Sequence, residues 1–109
     1  MAIYSHVHKQ TGCIHIDGRF DFLVHREFKK AYMAMLDNPT IQEIEVNMRQ
    51  LDFIDSAALG MLMLLRERAQ AANKSIVLSN PSEHVSMLLW VASFHKLFAI
   101  SGFNESKYA

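Results

Sequence analysis

With Cys13 as its only cysteine, the chain can form no internal disulfide, so its stability must come from a packed core. A lone thiol fits a reducing compartment, and the cytoplasm is the expected location. Neither charge is in excess: Lys+Arg and Asp+Glu each number 11, so no basic face offers itself to phosphate backbones or anionic lipid. Nucleic acid is not an expected partner. Long hydrophobic runs are missing too, because the longest, Ala57 to Leu65, falls far short of the roughly 20 residues a spanning helix needs. The first ten residues lack the apolar segment of an export signal. No internal repeat and no low-complexity segment interrupts the chain. What remains is a chain of 109 residues, 50% of them hydrophobic, enough to bury the core of one domain spanning residues 1–109, with about 104–109 as a frayed tail.

Alternation of Ile3, Ser5 and Val7 with Tyr4, His6 and His8 predicts a strand, and Ile14 and Ile16 against Cys13, His15 and Asp17 predict a second, joined as a hairpin. Phe28, Ala31, Tyr32, Met35 and Leu36 recur at helical spacing until Asp37-Asn38-Pro39 ends the run. Ile44, Val46 and Met48 alternate with Glu43, Glu45 and Asn47, a strand with one face left in water. A long helical run, Ala57 to Ala72, follows Ser56. Ile76-Val77-Leu78 reads as a buried central strand, being too short and β-branched for a helix. Asn80-Pro81-Ser82-Glu83 carries helix-start signals with Asn80 as cap, and Val85, Leu88, Leu89 and Ala92 supply that helix's inner face. Leu97 to Ile100 is a candidate last strand. The order β-β-α-β-α-β-α, with a final β, predicts an α/β fold whose helices lie mainly on one face of the sheet.

The chemistry-bearing residues are few. Ser56 precedes the most apolar helix, and spacing alone makes it an N-cap. Its flanks, Ile54 and Ala58, lack the glycines of a hydrolase nucleophile elbow, so an enzyme built on this serine is not expected. His6 and His8 fall on one side of a strand, but two imidazoles without a carboxylate or thiolate make a poor metal site, and neither metal nor cofactor is expected. Met61 to Leu65 reads as core. The third helix is apolar nearly all round, since Met87, Trp90, Val91 and Phe94 lie off its inner face. Either a partner or the C-terminal residues must cover them. Gly60, one turn after Ser56, costs roughly 0.5–1 kcal/mol in helix propensity and implies a close approach by a neighbouring strand or a partner.

Two segments together carry more than their parts: Ile16-Asp17-Gly18-Arg19-Phe20-Asp21 and Phe53-Ile54-Asp55-Ser56-Ala57-Ala58-Leu59-Gly60. They resemble the STAS family of anti-sigma-factor antagonists. The matching residues are Gly18, Asp21, Asp55, Ser56, Leu59 and Gly60, while Ala57 replaces a second hydroxyl residue and Ala58 the first glycine of Gly-Leu-Gly. The resemblance implies a STAS-type mixed sheet of four to five strands and a partner-switching role. An anti-sigma factor or serine protein kinase would bind the unphosphorylated form, and a serine phosphatase would restore it. Ser56 would be the phosphoacceptor, Asp55 would fix the turn, and Asp21 would lie beside them. The partner surface implied comprises Asp21, Asp55, Ser56, Ala57, Leu59 and Gly60. STAS-like domains also serve membrane transporters, so an accessory transporter subunit is the alternative. A nucleotide sensor is disfavoured by the lack of a glycine-rich phosphate loop.

Overall fold

The computed structural model describes residues 2–108. Strands β1 (Ile3–His8) and β2 (Thr11–Ile16) form the predicted hairpin, with His8 opposite Thr11 across a two-residue turn at Lys9 and Gln10. Lys9 takes the left-handed conformation, φ 55°, that such tight turns demand. Strand β3 (Gly18–Phe20) follows, then a 3-10 turn (Phe22–Val24) and helix α1 (His25–Leu36). Next come β4 (Glu43–Asn47), β5 (Leu51–Ile54) and helix α2 (Ser56–Ala71). Strand β6 (Ser75–Ser79), helix α3 (Glu83–Val91), strand β7 (Ala99–Ser101) and a terminal 3-10 turn (Glu105–Tyr108) complete the chain.

Five strands form one mixed sheet in the order β1-β2-β4-β6-β7, antiparallel at the hairpin and parallel elsewhere. The side of the sheet carrying Ile14, Ile16, Ile44 and Val46 is buried beneath the helices. Helix α1 packs closely on β2 at Gly12, where an added Cβ would lie 2.6 Å from Met35 Sδ and the Met35 side chain would have to shift. The opposite side carries Glu43, Glu45, Asn47 and Ser75 and is largely open, as the alternation in β4 predicts. Strand β6 is flanked on both sides, yet of Ile76-Val77-Leu78 only Leu78 is fully buried. Val77 is carried on the open side.

Strands β3 and β5 form a separate two-stranded parallel ladder that the periodicity does not predict. Phe20 drives its placement: the ring is fully buried, 4.8 Å from Phe28, which in turn meets Tyr32 edge-on at 5.4 Å. This aromatic chain anchors the ladder to α1.

Two further expectations are revised. Asn80 does not cap α3: it sits at φ 55° with its N–H donated to Ser101 O at 2.8 Å, so it closes β6 against β7, and Ser82 caps the helix through Val85 N at 3.2 Å. Within Met61–Leu65 only Leu62 and Leu65 are fully buried, because helical geometry turns Met63 and Leu64 outward. The C-terminal residues through 108 fold back on α3: Tyr108 stacks on Trp90 at 5.0 Å, and Lys107 pairs with Glu83. The C-terminal segment thus covers Trp90 on α3, while Val91 stays 75% exposed.

Candidate functional site

Strands β3 and β5 run in the same direction with Phe20 opposite Ile54, so the residues that follow them emerge side by side. Those residues are Asp21 and Asp55. A backbone hydrogen bond from Asp55 N to Phe20 O, 3.2 Å, ties the two exits together. Each aspartate then opens a helical turn. Asp21 Oδ1 accepts from Leu23 N at 3.0 Å, and Asp55 Oδ1 accepts from Ala58 N at 2.8 Å. Both satisfy an N–H group that a helix start would otherwise leave unpaired.

The cap of α2 is therefore Asp55 and not Ser56, correcting the reading from spacing. Ser56 is the first helical residue, exposed, and relieved of capping duty. Ala57 and Leu59 are half-buried beside it, and Leu59 packs against the core. Ala58 is fully buried, so the methyl that stands in for a glycine fills core space rather than narrowing the surface. Gly60 is exposed, and a Cβ built there would meet nothing within 4 Å. No neighbouring strand demands this glycine. Of the two close approaches expected from the sequence, the intramolecular one is excluded.

Three residues beside the site escaped the sequence reading. Phe22 and Leu23 in the 3-10 turn after Asp21 are 62% and 85% exposed, an apolar pair facing solvent. Their signal was available, since neither fits the helical spacing of Phe28, Tyr32 and Met35. Arg19 extends over the Phe53 ring at 4.4 Å and reaches Asp21 Oδ2 at 3.5 Å, bridging the two strands. The resulting surface holds two carboxylates, one arginine, an exposed hydroxyl at a helix N-terminus and an apolar tip.

His6 and His8, considered as a metal pair, do not stand together among the candidate ligands. His6 instead lies with Cys13 and His15, the ligand atoms of all three within 4.8 Å of one another. The sheet supplies the sulfur ligand whose absence made the histidines unpromising. No helix of the described residues is long and apolar enough to cross a membrane.

Comparison with known proteins agrees with this geometry. A family model described as "Mlab, STAS domain" matches residues 6–104. A STAS-domain containing protein of Pseudomonas aeruginosa (strain UCBPP-PA14) is 42% identical over 88 residues, covering 81% of this chain and 85% of that one. Among solved structures, the anti-sigma factor antagonist SpoIIAA in its unphosphorylated form aligns with a TM-score of 0.72 at 17% identity, covering 98% of this chain and 93% of SpoIIAA. Its phosphorylated Bacillus form gives a TM-score of 0.71 at 18% identity, covering 98% of this chain and 96% of that chain. The STAS domain of a SulP transporter from Vibrio cholerae also aligns, with a TM-score of 0.71 at 16% identity, covering 93% of this chain and 80% of that chain. The paired strands, the two capped turns and the match along residues 6–104 lead to one assignment: the chain belongs to the STAS-domain family.

Proposed function

We propose that this protein is an anti-sigma-factor antagonist, a non-enzymatic partner switch controlled by reversible phosphorylation of Ser56. The observation that carries the reading is the division of labour at the start of α2. Asp55 holds the helix end, leaving the Ser56 hydroxyl exposed beside Asp21 and the apolar Phe22-Leu23 tip. A serine that caps its own helix is occupied. One that follows an aspartate cap is open to a kinase. The unphosphorylated surface would bind an anti-sigma factor or a serine kinase through Asp21, Asp55, Ser56, Ala57, Leu59 and Gly60, with a serine phosphatase resetting it.

Phosphate on Ser56 would meet the free N–H groups and positive dipole end of α2, so the domain stays folded. SpoIIAA supports this, since its unphosphorylated and phosphorylated forms align equally well with this chain. The partner feels the modification instead. Phosphorylation adds about −1.5 to −2 charges. One such charge set ~4 Å from a partner carboxylate costs on the order of 4 kcal/mol at an effective dielectric near 20. Since ~1.4 kcal/mol is tenfold in affinity, that repulsion alone releases a partner.

The test is a pull-down with Ser56→Ala and Ser56→Asp beside the unaltered protein, with phosphate mapped by mass spectrometry after incubation with neighbouring gene products. Ser56→Ala should retain the partner permanently and Ser56→Asp should lose it in part, because aspartate carries less charge than phosphate. Stoichiometric phosphate elsewhere, with Ser56 bare, would sink the assignment. The match to a transporter STAS domain favours a second reading, an accessory subunit of a membrane transporter. Capture of permease or ATPase subunits, insensitive to Ser56→Asp, would decide for it.

A further inference from the structure

We propose that His6, Cys13 and His15 on the open side of the five-stranded sheet form a binding site for a zinc-type divalent transition-metal ion. The site follows from strand pairing. The two-residue turn sets His6 opposite Cys13 and Tyr4 opposite His15, so a histidine from β1 and a cysteine and histidine from β2 share one sheet face. Cys13 Sγ and His15 Nε2 are 3.2 Å apart. That is close to the separation of about 3.3–3.6 Å between two ligands of a tetrahedral zinc, given Zn–S near 2.3 Å and Zn–N near 2.0–2.1 Å. The widest separation in the set is no more than 4.8 Å, and His6, which is exposed, is the ligand with room to swing inward.

The surroundings hold the donors in place. His15 is stacked between Tyr4, 4.4 Å away and within 3° of parallel, and His6 at 5.1 Å. Two imidazoles and one thiolate are the donor set that zinc-type ions prefer over magnesium or calcium, which take oxygen. Glu45 stands opposite Cys13 on β4 and adds negative charge beside the cluster, with Oε2 held by the Ser79 hydroxyl at 2.6 Å. Three protein ligands leave the fourth position to solvent.

Protonation sets the conditions for uptake. Burial, helped by the approach of His6, lowers the pKa of His15, which keeps the ring neutral and able to ligate. Burial and then Glu45 push the Cys13 thiol up to about 11, so it is protonated at neutral pH. Binding forms the Sγ–metal bond as the Sγ–H bond breaks and its proton passes to the buffer. Affinity therefore rises with pH, about tenfold per unit for one released proton.

The experiment titrates the full chain, freed of metal by a chelator, with Co(II) as a spectroscopic stand-in for Zn(II). One equivalent should produce a thiolate-to-cobalt charge-transfer band that Zn(II) then abolishes and Mg(II) does not. Cys13→Ser should eliminate the band, His6→Ala should weaken binding at least tenfold, and His8→Ala should leave it unchanged. No band at stoichiometric Co(II), a band that survives Cys13→Ser, or equal affinities for His6→Ala and His8→Ala would each overturn the proposal. If Cys13→Ser does not fold, the exposed His6 position decides alone. The readout is independent of Ser56, which opens α2 after the other ladder.

Discussion

Asp55 and Ser56 are adjacent, are both good capping residues, and do different work. Replacing Asp55 by Ala removes the acceptor for Ala58 N and should cost about 1 kcal/mol, the usual loss of a cap, as a lower urea midpoint. Ser56→Ala should change stability by less than about 0.5 kcal/mol, since the side chain is exposed. Equal losses in the two variants would mean that Ser56 shares the capping and is not free for modification. Sequence could not separate the pair, because aspartate and serine rank alike as caps and the boundary between them is one residue wide. Resemblance to the family assigned the turn to Asp55, and the hydrogen bond agrees. The association of Cys13 with His6 and His15 was hidden for a different reason. It depends on cross-strand register, which alternation within one strand does not reveal but the length of the hairpin turn fixes.

Helix α1 and strands β1, β2 and β4 were legible at the scale of elements because their apolar periods run through several residues, and β6 because a short β-branched run could not be a helix. The ladder of β3 and β5 was not. Strands of three and four residues are too short to display a period, and their pairing depends on the burial of Phe20 against α1. Helix α2 illustrates what the site asks of an element. Ala58, Leu62, Leu65 and Ala69 form its buried stripe, whereas Ser56, Gly60, Met63 and Glu67 recur at helical spacing along its exposed side. Gly60→Ala meets no atom within 4 Å, so it should stabilise the domain by roughly 0.5–1 kcal/mol while placing a methyl group on the exposed side proposed to meet the partner. Thermal unfolding should show the gain and a partner titration the loss. A gain in both would place the partner elsewhere.

For the whole molecule, the C-terminal segment works as a clamp on α3, with Trp90 held against His95 at 4.0 Å and Tyr108 at 5.0 Å. Truncation after Phe103 should uncover Trp90, shift its fluorescence to the red, and lower stability by about 1 kcal/mol, a fall in Tm of roughly 4–8 °C. An unchanged spectrum would show that the tail does not shield the indole. Apolarity around α3 was readable from the sequence, but not the choice between partner and tail, because stacking among Trp90, Phe103 and Tyr108 joins residues that no local period connects.

The hydrogen bond between Asp55 N and Phe20 O has a consequence for how a surface such as the one proposed here would diverge. It fastens the stretch after β3 to the stretch after β5, although more than thirty residues of chain separate them. If the proposed partner spans both stretches, insulation between duplicated copies in one cell would draw on two distant stretches of gene, since the bond sets their side chains into one surface. Specificity on such a surface would be inherited as a pair.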